Sequence, residues 1–134
     1  MMFRLFVAVS IFAIGGMSPG KSVASHIDCQ ELHAAAFLDE PAELKELILH
    51  GTDMDCRDAI NQTPLITATD GASFDSFSLL LTHGANINAR DEVGQTALDK
   101  ALEKHAYFDM KGGETYRELY RQMIEMLIAA GAGK

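Results

Sequence analysis

The two cysteines, Cys29 and Cys56, are the side chains with the most reactive chemistry in this sequence. A thiolate is a nucleophile, a metal ligand and one half of a disulfide. A bridge requires Cα atoms within about 7 Å and, if unstrained, closes a loop worth about 3 kcal/mol. Otherwise the two cysteines are small residues that fill loop and core positions. A cysteine nucleophile would need a base and an orienting group, which no pattern in the sequence supplies.

The histidines show no pattern of metal ligands. They are His26, His33, His50, His83 and His105. No two histidines are four residues apart, the spacing that places two zinc ligands on one helix face. We therefore predict no metal and no cofactor.

The carboxylates form several short pairs that resemble turn residues more than catalytic groups. The pairs are Asp39/Glu40, Asp53/Asp55 and Asp91/Glu92. All fall at predicted helix caps and hairpin tips, where acids serve turns and solvation. The sequence has neither a glycine-rich phosphate loop nor a serine nucleophile elbow. We therefore predict that the chain is not an enzyme.

Residues 1–24 have the composition of a secretory signal peptide. Arg4 lies in a short basic start, residues 5–14 are apolar apart from Ser10, and Ser22-Val23-Ala24 predicts cleavage after Ala24. The apolar run is too short for a membrane span, which needs about 20 residues. We expect a bacterial protein whose mature domain, residues 25–134, is periplasmic or, alternatively, secreted, with no membrane contact after cleavage.

The mature chain is strongly acidic. Cleavage removes Arg4 and Lys21 but none of the 19 acids, which leaves 9 basic side chains and a net charge of −10. Nucleic-acid binding depends on neutralising phosphates with Lys and Arg, so this charge disfavours a nucleic-acid partner. A basic protein surface would be attracted instead.

The mature chain repeats itself at an interval of 33 residues. Leucines recur at Leu32, Leu65 and Leu98, and alanines at Ala35, Ala68 and Ala101. Thr63 recurs as Thr96, and His50-Gly51 recurs as His83-Gly84. A fixed period of this length indicates stacked supersecondary units.

The second unit, with Thr63-Pro64-Leu65 early and Leu80-Leu81-x-x-Gly84-Ala85 late, resembles the ankyrin repeat. The resemblance implies an all-α solenoid of about three helix-turn-helix repeats with short β-hairpin loops, at about residues 27–57, 58–90 and 91–131. It places Cys29 just before the first helix of repeat one and Cys56 in the hairpin that leads to repeat two, on the same side of the stack, which permits a disulfide without requiring it.

Local signals predict where the helices begin. Asp39 and Ser73 are expected to cap the second helices of repeats one and two, and Thr63 with Pro64 to start a first helix. Capping boxes are expected at Thr96 with Asp99 and at Thr115 with Glu118.

The third repeat contains a 14-residue insertion, near residues 104–117. Because apolar residues continue at helical spacing through it, we predict about two extra turns on each helix and a projecting helical hairpin. The tip residues are Tyr107, Phe108, Met110, Tyr116 and Tyr120. They either cover the open end of the stack or contact a partner.

The resemblance further implies protein recognition through the hairpin tips and the first helices. The hairpin positions are Asp53, Asp55, Arg57, Asp58, Ile60, Asn61, Asn86, Asn88, Arg90, Asp91, Glu92 and Val93. We expect a monomeric, non-enzymatic, exported module that holds, protects or inhibits one protein partner, in an enzyme-protecting or immunity-type role. The alternatives are a secreted effector that binds a host protein, a purely structural module, and a small cysteine-dependent enzyme.

Overall fold

The computed structural model describes residues 21–133, and the basic and apolar parts of the predicted signal peptide lie outside them. Six helices follow one another in this part of the chain. They are α1 (Lys21–Phe37), α2 (Pro41–Leu49), α3 (Pro64–Asp70), α4 (Phe74–Thr82), α5 (Ala97–Lys111) and α6 (Glu114–Ala129). The loops between repeats consist of turns, and no strand is present between residues 21 and 133.

The helices pack as three antiparallel pairs in two layers. The first helices α1, α3 and α5 contact one another in order, and so do the second helices α2, α4 and α6. This arrangement confirms the predicted all-α repeat solenoid. The loops predicted as short β-hairpins reverse the chain through turns, without paired strands, in residues 21–133.

The core follows the 33-residue period. Ala35, Ala68 and Ala101 are all buried. Their small side chains let neighbouring first helices approach closely, which excludes solvent from this position. Leu32 and Leu65 fill the space beside them. The second helices contribute Leu44, Phe77, Leu80, Met123 and Leu127. Each repeat therefore completes its hydrophobic core against the next one.

Helix α1 begins at Lys21, before the first repeat, which the resemblance places from about residue 27. The predicted cleavage after Ala24 therefore falls inside this helix, whereas its buried residues, from Leu32 to Ala36, lie beyond the cleavage point. Within residues 21–133, no helix combines the length and the apolarity that crossing a bilayer requires.

Two of the predicted first-helix starts are present. The Thr63 hydroxyl accepts from the Ile66 amide and Pro64 occupies the first turn of α3. Thr96 and Asp99 form a reciprocal capping box at α5. These caps satisfy amide groups that have no partner within the helix.

Of the two predicted second-helix caps, Asp39 is wrong and Ser73 is correct by position only. Glu40, not Asp39, is the N-cap of α2, and Asp39 has a left-handed backbone with φ 57°. Its Oδ1 instead accepts from the Ser76 amide in the first turn of α4, at 2.8 Å. Ser73 is the N-cap of α4 by position, but its hydroxyl donates to the Phe37 carbonyl oxygen at 2.6 Å. Repeat one thus caps repeat two.

The third repeat is longer than the others, as predicted. Helix α5 has 15 residues against seven in α3, and α6 has 16 against nine in α4. The turn between them is short, because Gly112 ends α5 with φ 78° and Gly113 is already the N-cap of α6. The capping box expected at Thr115 is therefore wrong, since Thr115 lies within the helix.

Candidate protein-binding surface

The hairpin loops before α3 and α5 are built around equivalent aspartates. Asp58 Oδ1 accepts from the amides of Ile60 and Gln62, at 3.0 and 2.8 Å. Thirty-three residues later, Asp91 Oδ1 accepts from Val93 and Gln95, at 3.0 and 2.9 Å. Each carboxylate fixes a tight turn, so the two loops present the same backbone shape to solvent.

Arginine side chains connect the loops to each other. The Arg57 guanidinium donates to the carbonyl oxygens of Asn61, at 2.8 Å, and of Arg90 in the next loop. Arg90 repeats the first contact by donating to the Gly94 carbonyl oxygen at 2.7 Å. The Glu92 amide also donates to the Ile60 carbonyl oxygen, at 3.3 Å. The two loops therefore form one rigid edge.

Several predicted contact residues serve this scaffold. Asp55 Oδ1 accepts from the Asn86 amide in the next repeat at 2.9 Å. Asp53 and Asn86 each accept from the amide two residues later in the chain. Asp91 does not belong to the solvent-facing part of the predicted contact surface. It is buried, and its carboxylate lies 3.7 Å from the Lys100 ammonium. The sequence did not separate the turn residues of these loops from the outward-facing ones.

Two apolar side chains at equivalent loop positions do face solvent. Ile60 is 48% exposed and Val93 is 71% exposed. Around them lie the exposed polar residues Arg57, Asn61, Asn88, Arg90 and Glu92. We call Ile60, Val93 and these neighbours the hairpin surface.

Aromatic rings stack along the inside of the elongated α5–α6 hairpin. The Phe108 ring lies between those of Tyr116 and Tyr120, with centroids 4.9 and 6.0 Å away. Tyr107 meets Phe108 edge-on at 5.1 Å. Such aromatic pairs contribute stability beyond that of their buried apolar area. They therefore stabilise the packing of α5 against α6.

Tyr120 belongs to the core and not to the predicted contact surface. Only 1% of the residue is exposed, and its hydroxyl donates to the Thr69 carbonyl oxygen at 2.8 Å. Burial raises the pKa of this phenol to about 12, assisted by the nearby Asp70 carboxylate. Tyr107 and Tyr116 are half exposed and Met110 is 80% exposed, so the tip divides into a buried base and an open end.

Both helices of the elongated hairpin contact the C-terminal end of α3. The Lys104 ammonium lies 3.3 Å from the Asp70 carboxylate, one residue from the Thr69 contact of Tyr120. Tyr107 and Tyr116 lie one helical turn further out on the same faces. Both side chains are half exposed. We call Tyr107, Met110 and Tyr116 the aromatic tip.

The solvent face of α6 is occupied by ion pairs. Arg117 pairs with Asp109 and Glu114 at 2.9 and 3.0 Å, and these carboxylates raise the pKa of its guanidinium. Arg121 donates to Glu118 and Glu125, and its hydrogen bond lowers the pKa of the Glu118 carboxyl to about 2. These exposed pairs contribute little stability but keep this face polar.

Cys29 and Cys56 form a disulfide with Cα atoms 6.1 Å apart. Beside it, His33 Nδ1 lies 2.8 Å from the Thr67 hydroxyl and Nε2 lies 3.0 Å from the Cys56 carbonyl oxygen. The potential ligand atoms of Cys29, His33 and Cys56 all lie within 4.8 Å of one another. Histidine spacing alone does not reveal this cluster, although Cys29 and His33 have the four-residue spacing of one helix face. A cavity of about 530 Å³ opens beside it, between α1 and residues 57–60.

Comparison with known proteins agrees with the geometry. A family model described as ankyrin repeats, in three copies, matches residues 32–112. No curated protein matches the chain.

Proposed function

We propose that this chain, which belongs to the ankyrin-repeat family, is an exported module that binds one protein partner through its hairpin surface and has no enzymatic activity of its own. Ankyrin repeats indicate a protein-interaction module. The choice of surface, the export and the role toward the partner are our proposals.

The observation that supports the hairpin surface is the exposure of Ile60 and Val93 on a fixed backbone. Asp58 and Asp91 hold the two turns, and Arg57 joins the loops. A partner that covers the two apolar side chains gains their burial without the cost of ordering the loops, since they are already fixed. Exposed arginines and amides around them form a polar rim, as in other interfaces.

The aromatic tip is a second contact region for the same partner. Tyr107, Met110 and Tyr116 are exposed on a hairpin that projects beyond the other repeats. Tyrosine is favoured at the centres of interfaces because it combines apolar area with a hydroxyl. A partner that reaches both regions would follow the stack along its length.

Export is supported by the signal-like composition of residues 1–24 and by the Cys29–Cys56 bridge, since disulfides persist in oxidising compartments. In the periplasm, the module would hold, protect or inhibit an enzyme or a toxin. After secretion, it would act on a host protein. Its mature net charge of −10 favours a partner with a basic surface.

Affinity purification of the tagged mature protein from its native exported fraction tests the proposal. The hairpin variant is Ile60→Asp/Val93→Asp. Its charge-matched control is Leu49→Asp/Ile128→Asp, at exposed apolar residues of α2 and α6. We expect a stoichiometric partner with the wild type and the control that is lost from the hairpin variant. Equal retention by all three would rule out the hairpin surface.

The aromatic tip is tested separately with Tyr107→Ser/Met110→Ser/Tyr116→Ser. This variant leaves Tyr120 in place, and circular dichroism should show an unchanged helix content. We expect weaker retention of the same partner, without complete loss. Full retention would restrict the tip to covering the end of the stack.

Export is tested by N-terminal sequencing of the protein recovered outside the cytoplasm, where we expect Ser25 as the first residue. A chain found only in the cytoplasm, with its first methionine intact, would contradict export and leave the binding proposal to be judged on its own.

A further inference from the structure

The carboxylates of Asp58 and Asp91 occupy equivalent places in two successive loops but have different surroundings. Each carboxylate uses its Oδ1 atom to hold a turn. The Oδ2 atom of Asp91 lies 3.7 Å from the ammonium of Lys100, which provides a counter-charge. The residue 33 positions before Lys100 is Thr67, which has no charge. Asp58 therefore has no equivalent lysine.

His33 does not take the place of that lysine. Its Nδ1 atom lies 3.8 Å from Asp58 Oδ2, which is too long for a hydrogen bond, but only 2.8 Å from the Thr67 hydroxyl. Its Nε2 atom lies 3.0 Å from the Cys56 carbonyl oxygen. Both ring nitrogens thus face uncharged partners. Within residues 21–133, no group donates a hydrogen bond to the Oδ2 atom of Asp58.

The cavity of about 530 Å³ described above opens beside this carboxylate, because Asp58 is part of its lining. The lining also includes Ile60 of the hairpin surface. The Arg57 carbonyl oxygen lies 3.7 Å from the Cys29 sulfur, which has no proton to donate in the disulfide. The cavity therefore combines a carboxylate oxygen, a carbonyl oxygen and an apolar side chain.

We propose that this cavity receives the side chain of one lysine of the protein partner, and that the lysine ammonium pairs with Asp58 as Lys100 pairs with Asp91. The inference rests on the proposed function, because it identifies a residue that the partner inserts beside the hairpin surface. An ammonium has three donors and no acceptor, so it suits a site formed by carboxylate and carbonyl oxygens. Its methylene stem packs against Ile60.

A lysine fits the Asp58 carboxylate better than an arginine does. A guanidinium pairs most strongly with a carboxylate when it binds both oxygens at once. Here the Oδ1 atom already accepts from the amides of Ile60 and Gln62. Only the Oδ2 atom is open to a partner, and a compact ammonium needs no more than one oxygen of the carboxylate.

Arg57 also lines the cavity, so its charge opposes the entry of a second cation. Its Nη1 atom donates to the carbonyl oxygens of Asn61 and Arg90, and these bonds tie the guanidinium to the loops. No ion pair joins Arg57 to Asp58 in the described part of the chain. The net charge of −10 on the mature chain attracts a basic side chain in spite of this one arginine.

The first test uses the oxidised mature chain and needs no partner. The chain is labelled with ¹⁵N and titrated at constant ionic strength with Nα-acetyl-lysine methylamide, while NMR follows the amides of residues 57–62. We expect saturable shifts with this probe, none after acetylation of its side-chain nitrogen, and weaker binding of the arginine analogue. Absent shifts, or equal shifts with the acetylated probe, would overturn the proposal. Tighter binding of the arginine analogue would overturn the choice of lysine.

Asp58→Asn tests the assignment of the site. The asparagine oxygen still accepts from the amides of Ile60 and Gln62, so the turn should remain. Without the charge, binding of the lysine probe should weaken by at least about 10-fold. Asp75→Asn, at an exposed carboxylate in the first turn of α4, removes the same charge elsewhere and should leave binding unchanged. Equal binding by the two variants would place the probe at another site.

The same variants distinguish this inference from the proposed function when the native partner is captured. Loss of the partner from Asp58→Asn, with retention by Asp75→Asn, would support the lysine site. Full retention by Asp58→Asn would overturn the lysine site and leave the hairpin surface standing, since Ile60 and Val93 are unchanged. If the wild type captures no partner, the proposed function fails and the titration with the lysine probe alone decides this inference.

Discussion

The Tyr120 hydroxyl donates to the Thr69 carbonyl oxygen at 2.8 Å, within the core, across the boundary between the second and third repeats. The same carbonyl accepts from the Ala72 amide at 3.2 Å, so one oxygen serves both the end of α3 and the hairpin that leans on it. The elongated third repeat is thereby attached at its base, while its tip stays open.

Replacing Tyr120 with Phe should lower the free energy of unfolding by about 1 kcal/mol, the usual value of a net hydrogen bond. The ring contact with Phe108 is retained and the Thr69 oxygen keeps its second donor. Urea unfolding followed by circular dichroism measures the change. Tyr116→Phe, at a half-exposed tyrosine, should change the unfolding free energy by less than about 0.5 kcal/mol. Equal effects of the two substitutions would contradict the special role of Tyr120.

The raised pKa of Tyr120 predicts a loss of stability at alkaline pH. Burial places its pKa at about 12 in the folded chain, against 10.0 for a free phenol. Up to about pH 10, both states hold the proton; above it the unfolded chain releases the proton first and gains population. The contribution should fall by about 1 kcal/mol by about pH 11. Urea midpoints of the wild type and Tyr120→Phe should therefore converge between about pH 9 and about pH 11, and a constant difference would contradict the shift.

The contact between Asp39 and Ser76 predicts different effects on stability for two substitutions of Asp39. Asp39→Asn keeps the acceptor for the Ser76 amide and tolerates the left-handed backbone, so it should be nearly neutral. Asp39→Gly also tolerates that backbone but removes the cap, which should cost about 1 kcal/mol. Thermal unfolding measures both. A glycine variant as stable as the asparagine variant would show that the cap carries no energy.

The disulfide should contribute much of the stability of the first repeat. Its sequence separation of 27 corresponds to a loss of about 3 kcal/mol in Cys29→Ala/Cys56→Ala by the chain-entropy model. The change in urea midpoint at constant slope measures it. The same loss should appear when the wild type is reduced. A decrease below about 1 kcal/mol in both would mean that the reduced, unfolded chain is already compact.

Most contacts within one helix or turn could be predicted from the sequence, with the capping box expected at Thr115 as the exception. The capping box of Thr96 and Asp99 depends on residues three apart, and the length of α5 depends on apolar spacing alone. The 33-residue period gave the number of repeats and the buried alanines. These signals are local or periodic, so they survive without knowledge of how the repeats pack.

Contacts between repeats could not be predicted from the sequence. The sequence predicts Asp39 as a cap of its own helix, because nothing in it shows that the Ser76 amide of the next repeat lies closer. The outward position of Ile60 and the burial of Asp91 depend on how two loops bind each other through Arg57. The cluster of Cys29, His33 and Cys56 likewise depends on the approach of a loop to α1.

The cap that repeat one supplies to repeat two has a consequence for how this chain could have changed by duplication and loss. A repeat array usually grows or shrinks by whole units, because each unit is interchangeable with its neighbours. Here the Ser76 amide and the Ser73 hydroxyl depend on Asp39 and the Phe37 carbonyl oxygen. Deleting the first unit would leave the second helix of the next one without these partners. New units would be gained most easily elsewhere in the array, and the first two repeats would be inherited together.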